Sequence, residues 1–566
     1  MPTLLLKSGA WLAAALLVAG CPSNPSPGMP PAPPAPVPPP GPPVPPGPPV
    51  PPVPVATVDP ACSDCAAISA TQYAGQGTGV WTFVNDTDAP YAVPVSLGGL
   101  TGQNVSLVFV NDSDSAQPMS ERPKQAGPAM VRSTPHATGG HTPSFAERVR
   151  AFNRTGWAER IGMQGKAQGR TPQSAEDRAG APAPAPNAEV GDARQWYDAE
   201  EENLRDTTLV RQAVAGDGVT LNFWLEDSEN EDGKVTDEMV DLLSAAYGQP
   251  DGIYDFLTGI GGPMWGPHAH PRLIAGTGQP VNIVFMKMVE QGLEGYFYSD
   301  NAFRRTPAGT DAQHSNAAVV IFINSEPLYA NADSGVAKAA LTMAHESVHL
   351  QNFYRRGVRM GAAHSMEDWL EEGSAVIVED FVSQLVLRDY NEVRDERLPD
   401  YVSAPDYACS VFRWPRAGEV CDGYTIWSTW GGYLNRQLGM PFYRNLLYNT
   451  NTASRAILDT AIRAVRPGSG TDPELRRWSA SVGSMMPADH APPGYGYPER
   501  TEPGYGLPAI DLQTMVGQRT LPEPVGLLPA RAMLPVVRRN VTGTFGEQVL
   551  VPPQSTLMVV IHDGEV

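Results

Sequence analysis

Apolar positions along this chain change period repeatedly, and each change predicts a different element. Residues 219–225, 281–285 and 317–324 are short, nearly continuous apolar runs, the pattern of strands buried on both faces. Residues 236–247 have helical spacing. Residues 337–354 run without Gly or Pro and read as a helix, with Gly357 as a plausible stop. A second helix is expected to start with a capping box over Ser365 and Asp368, then run through Trp369, Leu370, Ala375, Val376, Ile377 and Val378. Residues 295–301 read as a turn-rich loop and 421–439 as a further helix. Residues 60–118 alternate apolar and polar stretches between Asn-Asp and Gly-Gly turns, as a small β domain would. Short apolar runs at 549–552 and 556–562 predict a separate C-terminal β-rich module over 486–566.

Between these, residues 119–204 are rich in Arg, Gln, Ala, Gly and Pro over most of their length. Lacking sustained periodicity, they read as a flexible linker open to proteolytic nicking. A pro-segment role is conceivable there, but no cysteine or other blocking residue stands out. The elements together predict an α+β fold with a central domain over 205–485.

The N-terminus changes this picture. Residues 1–20 carry one charge, Lys7, then an apolar run over 10–19, and close on Val18-Ala19-Gly20-Cys21. That is a signal peptide with a lipobox, and cleavage before Cys21 would leave its thiol to carry lipid. The apolar run is too short to span a membrane and Pro22 follows at once. Residues 21–59 are the lipidated cysteine and a proline-rich stalk. Its stiff polyproline stretch, at about 3.1 Å per residue, reaches on the order of 100 Å. The formal charge of −21 argues against a nucleic-acid partner and leaves the membrane, through Cys21, as the expected attachment. Setting Cys21 aside, Cys62, Cys65, Cys409 and Cys421 form an even set suited to disulfides in an oxidising compartment. Three connectivities are open, neighbour pairing being the simplest; a redox motif or a four-cysteine zinc site are the alternatives.

Candidate chemistry concentrates in one stretch, His345-Glu346-Ser347-Val348-His349. On a helix the two imidazoles share a face and can bind one metal ion, with Glu346 beside them as general base for a water. Trp369-Leu370-Glu371-Glu372-Gly373 follows on a second helix and offers a third, carboxylate ligand. Adjacent helical residues point about 100° apart, so only one of Glu371 and Glu372 can face the metal, and Glu372 is the choice. Glu371, Glu372, Glu379 and Asp380 lie in an apolar-rich helix and need partners there; a metal answers for at least one. The acidic loop over 226–233 resembles a calcium loop in composition, but its spacing puts Ser228 first and Met239 last, which excludes an EF-hand.

These residues resemble the gluzincin zinc peptidases, and most closely the hyicolysin family of bacterial neutral metallopeptidases. The resemblance covers roughly residues 205–470. It implies a zincin-like domain with a small sheet ahead of the active-site helices, whose edge strand pairs with an extended peptide or protein substrate. It implies one zinc ion on His345, His349 and Glu372, with Glu346 catalytic. Tyr424 is similar in position to the transition-state tyrosine of related aminopeptidases; His268, His270, His314 and His364 are other candidate donors. The function expected is endopeptidase, with aminopeptidase or a non-catalytic surface scaffold as alternatives.

Overall fold

The computed structural model describes residues 54–119, 143–162 and 188–566, apart from 63–64, 232, 308–311, 332–333, 405, 417 and 522–525. The expected signal peptide, Cys21 and most of the expected stalk lie outside them. Among the described residues no helix is long and apolar enough to cross a membrane.

The centre of the molecule is a six-stranded mixed sheet. Its middle strands, Thr220–Glu226, Val281–Met286 and Val319–Asn324, run parallel, with Val281 opposite both Leu221 and Val319. Gly295–Tyr296 forms one antiparallel edge on Val319–Asn324, while Asn203–Val214 and Ala193–Asp198 close the other side. The apolar runs are continuous because both faces are covered. Ile283, Phe285, Ile321 and Ile323 point into the large core shared with the helices. Val284, Met286, Val320 and Phe322 point the other way, into a smaller core with Trp196 and Trp224.

Two helices cross beside this sheet. The first, Gly335–Asn352, is rich in alanine and packs closely on the strands. It does not stop at Gly357: the chain continues in a wider turn over Phe353–Val358. A Cβ at Gly357 would lie 3.0 Å from the Trp157 ring, so glycine there serves packing rather than termination. The second helix, Asp368–Val386, starts from Glu367 and not from a Ser365 capping box. The Glu367 side chain accepts from Trp369 Nε1 at 3.0 Å and its N–H donates to Ser454 Oγ at 2.8 Å, which fixes the entry. A third helix, Gly423–Tyr448, crosses the second at glycines on both. A Cβ on Gly373 would fall 2.4 Å from the Trp427 ring, and one on Gly431 2.6 Å from Ile377.

Two expectations are corrected. The N-terminal and C-terminal β modules are not separate: Tyr91–Asn111 pairs with Met533–Val551 along its length and with Ser555–His562, in one seven-stranded sheet. The short apolar runs near the C-terminus could not bury themselves alone, and the unpaired edge of a strand over 400 residues away satisfies them. Nor is all of 119–204 a linker. Phe145–Ala151 and Trp157–Ile161 are helical, and Ala193–Asp198 is a strand of the central sheet. Ser144 and Glu147 form a reciprocal capping box, and Phe145, Val149 and Trp157 are buried. The cysteines join as neighbours, Cys62 to Cys65 and Cys409 to Cys421.

Candidate metal centre and cleft

The crossing of the first two helices brings His345, His349 and Glu372 together. One oxygen of Glu372 lies 3.3 Å from His345 Nε2 and 3.5 Å from His349 Nε2. The three donor atoms fall within 4.8 Å of one another. The opposite nitrogens are held from behind: His345 Nδ1 lies 2.6 Å from Glu379 Oε1, and His349 Nδ1 lies 3.1 Å from Glu371 Oε1. Glu371 also accepts from Asn352 Nδ2 at 3.1 Å. The adjacent glutamates therefore divide: Glu372 faces the free imidazole nitrogens, and Glu371 orients one ring from outside. Two imidazoles with their Nδ1 atoms engaged and their Nε2 atoms converging on a carboxylate are a donor set that fits a zinc-type ion.

The electrostatics agree with a cation-binding site. Burial alone would lower the His345 imidazole, but Glu372 and Glu379 outweigh it and raise it to about 9. Burial would raise Glu372, yet His349 and His345 hold it well below the usual carboxylate range. Glu346 lines the same cleft, 6% exposed, and burial raises its carboxyl above the ordinary value.

Tyr424 stands at the rim with its ring 5.9 Å from that of His345. It keeps 37% exposure, but crowding around its hydroxyl, followed by the charge of Glu372, pushes that group well above its ordinary value. It is a hydrogen-bond donor at any ordinary pH. The other candidate donors lie elsewhere. His268 and His270 are half-buried, their Nε2 atoms 2.9 Å from Ile274 O and 3.0 Å from Val358 O. His314 stacks on Tyr197, and neither it nor His364 lines the cleft. In the acidic loop Glu229 is buried and accepts from Ser325 Oγ at 2.6 Å and Tyr329 OH at 3.0 Å, a structural role.

Sequence reasoning missed two cleft residues, Arg150 and Asn153. Both come from the segment read as linker, where the Ser144–Glu147 capping box with Phe145 and Val149 four apart was the available signal. Arg150 Nη1 lies 3.8 Å from Glu372 Oε1. The cleft has two arms that meet at Arg150, His345, Glu346 and Tyr424. One is a cavity of about 80 Å³ bounded by Asn153, Phe297 and His349, the other of about 520 Å³ bounded by Glu294, Thr342 and Trp414.

Known proteins match this architecture. Residues 60–122 match a domain of unknown function, DUF8571. A neutral metalloprotease of Staphylococcus hyicus, ShpI, is 24% identical over 179 residues, 31% of this chain and 38% of that protein's length. The match thus spans well under half of that relative. The model of the Peptidase M30 family matches residues 201–562, taking in five of the six strands of the central sheet, all three crossing helices and the C-terminal strands. With its donor cluster and buried glutamate inside that match, the chain belongs to the Peptidase M30 family.

Proposed function

We propose that this M30 peptidase is a zinc-dependent endopeptidase, with one ion held by His345, His349 and Glu372. The carrying observation is the convergence of both Nε2 atoms on Glu372 while Glu379 and Glu371 hold the Nδ1 atoms. When bound, zinc would polarise the scissile carbonyl and make a water acidic near neutral pH. Glu346 takes the water's proton and returns it to the amine nitrogen as the C–N bond breaks and a C–O bond forms. The Tyr424 hydroxyl donates to the carbonyl oxygen as negative charge grows there.

An aminopeptidase would need an acid free to hold the substrate's amine, and Glu371, the local candidate, is already engaged by His349 and Asn352. A scaffold without activity would have no use for a buried glutamate at position 346. We also propose export, lipidation at Cys21 and display on the stalk at the cell surface, read from the N-terminal sequence. Digesting an internally quenched peptide and an amino-terminal reporter side by side tests the class; cleavage of the reporter alone would reject the endopeptidase. Membrane fractionation of Cys21→Ser tests the anchor, which is refuted if the variant stays membrane-bound.

A further inference from the structure

Residues 143–162 precede the family-matched region and lie along the outer edge of the catalytic sheet. Phe145 packs edge-on against Tyr296 with ring centres 5.0 Å apart, and Phe152 against Tyr298 at 5.1 Å. Arg160 pairs with Asp300. Between these contacts, Asn153 Nδ2 donates to Phe297 O at 2.7 Å, and Ser299 N donates to Asn153 Oδ1 at 2.8 Å. A carboxamide offers the same donor and acceptor as a peptide group. Here it takes two main-chain groups, two residues apart, in the segment that runs on from the edge strand Gly295–Tyr296, where an added strand would find its next partners.

The strap also crosses the cleft. Arg150 reaches Glu372, and Arg154 Nη1 lies 3.6 Å from Asp368 Oδ1 on the far wall. One extra residue is looped into the helix over Phe152–Gly156, where the Trp157 N–H reaches back to Phe152 O. Trp157 is fully buried, with its ring centre 5.1 Å from that of Phe353, while Asn153 lines the cleft. The strap is thus built into the core. The arm beneath it is the narrower, about 80 Å³, whereas the other arm offers about 520 Å³.

We infer that Asn153 is a specificity-determining residue: through it the strap occupies the peptide-pairing edge on one side of the cut bond. Substrates enter by the open arm and extend only briefly on the strap side. This rests on the proposed site, and the test separates the two.

In the full zinc-loaded chain, kcat/KM is measured for a long quenched peptide and for one trimmed on each side in turn. Asn153→Ala removes both hydrogen bonds and should raise the long-to-short ratio about tenfold, mainly through KM. Asn153→Asp, which keeps the shape but loses the donor, should move it the same way. A ratio within twofold of the parent, in folded variants whose activity still depends on Glu346, would overturn the inference alone. Activity that survives Glu346→Gln would overturn the site and the inference together. If the Asn153 variants misfold, hydrogen exchange on Glu346→Gln with the long peptide bound decides instead. Amides of residues 150–155 and 297–299 should keep their protection with that peptide bound. Loss of protection at 150–155 together with a gain at 297–299 would show that the peptide takes the edge from the strap and would overturn the inference.

Discussion

Glu379 and Asp380 are neighbours on one buried helix, yet their carboxylates meet opposite circumstances. Asp380 accepts from Arg436 Nη1 at 2.9 Å, Asn435 Nδ2 at 2.9 Å and Asn391 Nδ2 at 2.8 Å, with Arg436 fully buried. That network is closed: one full positive charge meets one negative charge and donors fill the remaining sites. Glu379 faces the other way, toward His345, in a cluster with Glu346, Glu371 and Glu372. The nearest arginines there, Arg150 and Arg397, stand 3.8 Å from Glu372 and 3.7 Å from Glu379. This cluster has carboxylates in excess and is open to a cation. A buried acid is a structural tie or a metal site according to whether the opposing helix brings an arginine or an imidazole.

The comparison breaks most sharply at the open cluster. Glu372→Gln, like His345→Ala, should abolish stoichiometric zinc and with it peptide hydrolysis, as metal analysis would reveal; Glu371→Gln and Asp380→Asn should keep the ion. Glu346→Gln should retain zinc and fold while losing about a hundredfold to ten-thousandfold in rate. Residual activity within a few-fold of the parent would remove Glu346 from its role.

At the closed network the effect should appear in stability. Asp380→Leu strands Arg436 in the core and should cost about 3–5 kcal/mol in denaturant unfolding, with zinc content unchanged in the folded fraction. Glu379→Gln weakens the hold on His345 and the pairing with Arg397, and should lower zinc affinity about tenfold to a hundredfold by competition with a chelating dye. The smallest effect is on pH dependence. Glu392, whose carboxyl burial pushes up to about 7 despite the opposing charge of Arg397, binds its proton more tightly folded than unfolded. Stability from this group is therefore present at low pH and declines as pH rises from about 4.5 through about 7. Glu392→Gln should flatten unfolding free energy across that window; an unaltered pH profile would contradict the shift.

The metal cluster is legible in the chain itself because its parts are local. The i,i+4 spacing of His345 and His349 and the 100° between Glu371 and Glu372 follow from helix geometry alone. The middle strands are legible for a similar reason, since burial on both faces leaves an unbroken apolar run. The strap is not. Its helical pieces are too short to show a period, and what orders them is contact with Tyr296, Tyr298 and Phe353, far along the chain. The Ser365 capping box is legible and wrong, because the helix entry is set by Ser454 from another segment.

By itself, then, the sequence marked a candidate ligand set, a candidate base, the middle strands of the sheet and the two helices that carry the site. These depend on chemistry and periodicity within some tens of residues. The tertiary structure alone decided that the two ends of the described chain share one sheet, that Asp380 is tied to Arg436, and that Asn153 bonds the main chain at Phe297 and Ser299. Each depends on a partner brought close by folding, and the spacing along the chain carries no record of that distance.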